Sequence, residues 1–272
     1  MTRLAGALAR ARAEGRAALV GYLPAGYPDV AGAADAMLAM VEGGVDVVEV
    51  GLPYSDPLMD GPTIQAAVQQ ALDSGTTTAD VLRTVERVAA SGAAVVVMTY
   101  WNPVERYGVA RFARDLAAAG GSGMITPDLT PDEAGPWLDA SDATGLDRVF
   151  LVAPSSTPAR LRYTAEHCRG FVYASSLMGV TGARDVVGGA ASALVARVRP
   201  VTDLPVCVGL GVSTGAQAAE IAAYADGVIV GSAFVRRLLD APDAAAGVAG
   251  VRAFAEELAA ATNSRSAVET PR

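Results

Sequence analysis

Glu49 sits where a charge is costly. It lies inside the β-branched run Val47-Val48-Glu49-Val50, and strand alternation puts it on the face shared by Val47 and Gly51. A carboxyl in apolar surroundings resists ionisation, and it can then give and take a proton near neutral pH, as general acid/base chemistry requires. The same residue could instead be paired with an arginine from a neighbouring layer. Further along, between Met59 and Gly61, comes a second carboxylate, Asp60. It could accept a hydrogen bond from a substrate N–H and stabilise positive charge developing there. It could equally cap the helix that begins near Pro62. Asp56, in the same segment, is open to both readings. Late in the chain, Gly211, Gly231 and Ser232 each follow an apolar run, where backbone N–H groups freed by glycine could cradle an anion.

These residues need a scaffold that brings them to one place. Short β-branched runs recur along the chain, each followed by an alanine-rich segment with helical spacing. Strands are expected at Ala18 to Leu23, Val45 to Val50, Ala94 to Thr99, Gly123 to Thr126, Arg148 to Val152, Phe171 to Ala174, Val206 to Val208 and Gly227 to Val230. Helices are expected at Val30 to Val41, Thr78 to Ala90, Val109 to Ala119, Pro131 to Leu138, Pro158 to Cys168, Ala190 to Val198 and Gly215 to Ala223. The alternation runs through without a break in composition, so the fold class is α/β and the architecture a single (β/α)8 TIM barrel rather than a doubly wound open sheet. An amphipathic helix precedes it within Met1 to Gly15. The barrel domain covers 1–261, and a polar tail, 262–272, is expected to be disordered.

In such a barrel, function lies in the loops after the strands, and phosphate commonly sits on the loops after the seventh and eighth strands and on a short extra helix. Ser232 to Leu239 fits that helix, with Ser232 as its cap and its hydroxyl available to a phosphate oxygen. Gly182, in the glycine-rich stretch Gly179 to Gly189, could close over the same anion. Arg236 and Arg237 lie on the extra helix, where they could meet the phosphate or, the favoured reading, form a solvated helix face. His167 reads as a helix-terminal residue meeting the dipole at the opposite end of the barrel.

Composition removes alternatives. All 21 basic residues are arginine and there is no lysine, so imine chemistry on this chain is excluded. The single histidine rules out a multi-histidine metal site, and no metal is expected. A net charge of -8 argues against nucleic acid or an anionic membrane as partner. Cys168 and Cys207 are far apart and read as reduced, buried thiols. No run approaches the length of a membrane span, so a cytoplasmic protein is expected.

The stretch Glu49-Val50-Gly51-Leu52-Pro53-Tyr54-Ser55-Asp56-Pro57-Leu58-Met59-Asp60-Gly61-Pro62-Thr63-Ile64-Gln65 resembles the signature of tryptophan synthase α subunits. Gly21 to Asp29 is similar to that family's first strand and loop, Gly170 to Gly182 to its sixth strand and mobile loop, and Gly209 to Ser213 with Gly231-Ser232-Ala233 to its phosphate loops. The resemblance extends from about Leu4 to Leu258. It implies a carbon–carbon lyase that cleaves indole-3-glycerol phosphate to indole and glyceraldehyde 3-phosphate. It also implies a β subunit in an α2β2 complex that receives the indole. No cofactor is implied on this chain; pyridoxal phosphate belongs to the β subunit. Carried onto matching positions, Glu49 is the acid/base and Asp60 the partner of the indole N–H. Tyr22, Tyr100, Tyr173 and Thr181 lie around the substrate, and Gly182, Gly211, Gly231 and Ser232 around its phosphate. Asp56 and Pro57, with Tyr100 to Pro103, face the β subunit. The chain departs from the family pattern at Met59, Thr130, Leu177, Met178 and Leu210. The motifs do not separate a partner-dependent lyase from a self-sufficient one. Intact Glu49, Asp60 and Thr181 argue against a non-catalytic barrel.

Overall fold

The β-branched runs form eight parallel strands: β1 (Ala18–Pro24), β2 (Val47–Gly51), β3 (Ala94–Met98), β4 (Gly123–Thr126), β5 (Asp147–Val152), β6 (Val172–Ser175), β7 (Val206–Gly209) and β8 (Gly227–Val230). Each pairs with its neighbour in sequence and β8 returns to β1, closing the barrel. The computed structural model describes residues 1–175, 184–209 and 211–263. Strand bounds differ by only a residue or two from those the sequence implies.

Around the barrel run α1 (Arg3–Ala13), α2 (Val30–Glu42), α3 (Pro62–Asp73), α4 (Thr78–Ala89), α5 (Trp101–Tyr107), α6 (Val109–Ala118), α7 (Gly135–Thr144), α8 (Pro158–His167), α9 (Arg184–Val198), α10 (Gly215–Ala222), α11 (Ser232–Leu239) and α12 (Ala244–Thr262). Among the described residues no helix is long and apolar enough to cross a membrane.

Four boundaries depart from the sequence expectation, one being the end of the helix expected at Leu138, which runs on to Thr144. The helix expected from Pro131 starts only at Gly135, because Thr130 to Ala134 close a turn in which the Glu133 N–H donates to the Thr130 carbonyl at 3.0 Å. Pro136 then sits in the first turn, where its missing donor costs nothing. Helix α9 begins at Arg184 instead of Ala190, so the end of the supposed glycine-rich loop is helical. Thr262, placed in the tail by its polarity, closes α12; it is buried, and its carbonyl accepts the Ala17 N–H at 3.4 Å.

Alternation along the strands turns Val20, Val47, Val96, Ile125, Val149, Cys207 and Ile229 into one buried cluster, joined by Phe171, and α1 completes it from the N-terminal side with Leu4, Ala7, Leu8 and Ala11. These four recur at helical spacing, so one face of α1 is apolar. Thr2 caps the helix by accepting the Ala5 N–H at 3.1 Å, and its hydroxyl donates to Asp147 at the start of β5. Arg3 donates to the Ala89 carbonyl at 2.6 Å. The N-terminal mouth is thereby stoppered. Leu4→Ala should cost about 2–5 kcal/mol of unfolding free energy, read by chemical denaturation, because Leu4 is fully buried.

His167 ends α8, its Nδ1 lying 2.7 Å from the Tyr163 carbonyl, at the N-terminal face as expected. Cys168 and Cys207 are both free and buried.

Candidate active site

The central residue of β2 is Glu49, in register with Tyr22 of β1 and Val96 of β3. It is 2% exposed, and its Oε2 has no hydrogen-bond partner. Among the described residues no arginine pairs with it, so the salt-bridge reading is set aside. Burial, and secondarily the charge of Asp60, push its carboxyl up to about 8. Below that pH it holds a proton.

Asp60 stands on the loop after β2, half-buried. It does not cap α3: the N-cap is Gly61, with no side-chain capping bond. Burial raises the Asp60 carboxyl, and a hydrogen bond from the Tyr100 hydroxyl opposes that rise. Tyr100 Oη also accepts the Met59 N–H at 3.0 Å, fixing the loop on both sides of the bond that leads to Asp60. The two carboxyls therefore share a buried setting, and the Tyr100 hydroxyl separates them: it favours the charge on Asp60, and that charge in turn favours the proton on Glu49.

Tyr22 and Tyr173 complete the C-terminal mouth. Their hydroxyls fit against Gly51 and Gly209, where a Cβ would lie 2.5 Å from Tyr22 Oη and 2.2 Å from Tyr173 Oη. Any larger residue on β2 or β7 at these positions would displace a ring. Burial raises both phenols well above their ordinary value; Asp60 and Glu49 add to the rise at Tyr22, and Glu49 and Cys207 at Tyr173. Glu49, Asp60, Tyr22, Tyr100 and Tyr173 thus gather at one end of the barrel, as the sequence expects.

Beside β1, where β7 and β8 end, is a pocket of about 310 Å³ lined by Gly211, Ser213, Ser232, Ala233, Arg236 and Arg237. Gly211 has φ +65°, a backbone state glycine adopts freely. The cap of α11 is Gly231 and not Ser232, with no side-chain capping bond; Ser232 is the first helical residue. Phe234 and Val235 N–H groups turn back to the Gly231 carbonyl, so those of Ser232 and Ala233 are the ones an anion would meet. Both arginines are exposed, as the sequence reading has them, and both line this pocket. Thr181 and Gly182, with Leu177, Met178 and Leu210, lie outside the described residues.

The loop bearing Asp60 also carries the exposed Asp56, with Pro57 half-buried, followed by Leu58 and Met59 at 76% and 43% exposure. Asp56 lines a cleft of about 540 Å³ with Tyr54, Thr76, Asn102 and Arg106. Asn102 Nδ2 donates to Tyr54 Oη at 3.0 Å, and the Tyr54 and Tyr100 rings lie 5.4 Å apart. One supporting residue had no functional reading in the sequence: Asp128, after β4, accepts the Trp101 N–H with both oxygens at 3.0 Å and so sets the turn that aims Tyr100. That contact joins two strand ends and leaves no mark in a linear pattern.

The chain matches the family described as tryptophan synthase alpha chain over residues 8–263. It is 64% identical over 263 residues to the tryptophan synthase alpha chain of Thermobifida fusca, covering 96% of this chain and 97% of that protein. The Salinispora tropica tryptophan synthase alpha chain is 64% identical, covering 96% and 97% of the two chains. Among solved structures, Mycobacterium tuberculosis tryptophan synthase superimposes with a TM-score of 0.90 at 59% identity, covering 96% of this chain and 98% of that one. The alpha subunit from Legionella pneumophila does so at 0.89 and 31% identity, covering 97% and 99%. With the barrel, the paired carboxyls and the anion pocket arranged as described, these agreements over nearly the full length mean that the chain belongs to the tryptophan synthase alpha chain family.

Proposed function

We infer that Glu49 and Asp60 carry the reaction of this family, the retro-aldol cleavage of indole-3-glycerol phosphate in tryptophan biosynthesis. The observation that carries the assignment is the buried Glu49, its Oε2 without a partner and its pKa pushed up by burial, at the same mouth as Asp60, where a hydrogen bond from Tyr100 favours the charged form.

Glu49 gives its proton to indole C3, converting an aromatic ring into an indolenine cation that can leave. Positive charge then accumulates at the ring nitrogen, where the Asp60 carboxylate accepts the N–H and stabilises it. Glu49, now a carboxylate, removes the proton of the glyceryl 3′-hydroxyl as the carbon–carbon bond breaks. Indole and the aldehyde form, and the carboxyl is restored. One residue serves both steps because the proton it lends is returned. Tyr22 and Tyr173 flank the reacting atoms, and the phosphate rests on Gly211, Gly231 and Ser232, with Gly182 and Thr181 contributing from the sixth loop.

The partner is a β subunit in an α2β2 assembly, which takes the indole. Support comes from the likeness to Mycobacterium tuberculosis tryptophan synthase and from the exposed Leu58 and Met59 beside Asp56 and Pro57, an apolar patch at the rim. A phosphorylated substrate, which does not cross a bilayer unaided, favours the cytoplasm as the place of action.

An indole-release assay on the purified chain, alone and with a β subunit, tests the reading. Slow cleavage alone and faster cleavage with the partner is the expected result. Full turnover alone would mean a self-sufficient lyase, and no cleavage in either case a non-catalytic barrel.

A further inference from the structure

Helix α11 places Ser232 and Arg236 one turn apart, on the same face. A helical side chain leans back toward the N-terminus of its helix, so the Arg236 guanidinium is directed over the first turn, where Ser232 and the free N–H groups stand. It lines the same pocket as Gly211 and Ser232. Its Nη2 donates to Thr63 Oγ1 at 3.3 Å, a bridge from α11 to the first turn of α3. Arg237, by contrast, stacks over the Phe254 ring at 4.5 Å and is turned toward α12.

We propose that Arg236 binds the substrate phosphate directly and that Thr63 holds it in place before the substrate arrives. The proposal rests on the lyase reading and deepens it. A phosphate monoester brings about two negative charges at neutral pH to a chain of net charge -8 that has no lysine. A helix terminus offsets only about half a charge. Arginine supplies most of the remaining complement and, with its planar fork, can bond two phosphate oxygens while keeping one N–H for Thr63. The bridge also ties the phosphate pocket to the helix that begins just after Asp60, so the two ends of the substrate are registered on one rigid unit.

Three variants of the full chain, each assayed with and without a β subunit, test this. Arg236→Gln is expected to raise both the KM for indole-3-glycerol phosphate and the Kd for glycerol 3-phosphate about tenfold, the scale of one charge-assisted contact, with kcat little changed. Arg236→Lys should recover part of that loss, and Thr63→Val should show a smaller rise of the same kind. On the dephosphorylated substrate indole-3-glycerol, Arg236→Gln should match the parent, which a merely structural arginine would not. Unchanged KM and Kd in Arg236→Gln, or an equal loss on the dephosphorylated substrate, overturns the proposal. Calorimetric titration with glycerol 3-phosphate needs no turnover, so it tests the contact even in a chain that fails to cleave, and the two failures are told apart.

Discussion

Glu49→Gln is expected to abolish cleavage of indole-3-glycerol phosphate, with a loss of at least about 10³-fold in kcat, within the range that one positioned acid/base contributes. Glutamine fills the same space but cannot donate a proton to indole C3 or take one from the glyceryl hydroxyl, the two transfers proposed for Glu49. Binding of glycerol 3-phosphate should be nearly unaffected, because the residues proposed to hold the phosphate lie in the sixth loop, after β7 and β8, and on α11, apart from Glu49 on β2. Substantial cleavage by this variant would remove Glu49 from the mechanism. The parent enzyme should lose activity as pH rises through about 8, where Glu49 gives up the proton needed for the first step. Stability follows the same group. Its folded pKa is raised, so its contribution is full below the ordinary carboxylate pKa and is lost as pH rises through about 8. Relative to the parent, Glu49→Gln should therefore gain melting temperature on going from about pH 5 to about pH 9, while remaining inactive. Parallel melting curves across that window would contradict the assigned protonation state.

Asp60→Asn should cost about 10²–10³ in kcat, the scale for removing one charge-complementary group from a developing transition state. The amide can still accept a hydrogen bond from the indole nitrogen but brings no negative charge to the cation. A second consequence separates this variant from a general loss of structure. The Asp60 charge is one of the two causes that raise Glu49, so in Asp60→Asn the alkaline limb of the residual activity should move to lower pH. A parent-like rate, or an unmoved limb, would show that the two carboxyls do not act as a pair.

Much of this architecture was legible as pattern. The β-branched runs mark all eight strands, because a strand covered on both faces needs apolar residues at nearly every position. Glu49 was legible for the opposite reason, as the charge that breaks such a run. Whether it met an arginine depended on the layers of other strands, and those turned out to place Tyr22 and Val96 beside it. The capping alternatives for Asp60 and Ser232 were decided by shifts of one residue, since Gly61 and Gly231 occupy the cap positions. Such boundaries are soft in sequence because neighbouring residues compete for them. The fit of Tyr22 against Gly51, and of Tyr173 against Gly209, joins side chains across strands and has no linear signature. Arg236 is exposed, as its sequence reading has it; that it also shares a pocket with Gly211 and Ser232 depends on how the ends of β7 and β8 meet, which no linear spacing records.

The stopper that α1 places in the N-terminal mouth closes one end of the barrel. Its interior is filled by Val20, Val47, Ile125, Phe171 and their neighbours, so no passage runs along its axis. Among the described residues, the open end is the one that carries the Asp60 loop and the pocket on α11. A β subunit seated on that loop, as proposed, would stand at the threshold of that end. The closed end then leaves the direction of indole's departure to whatever neighbour meets the open one.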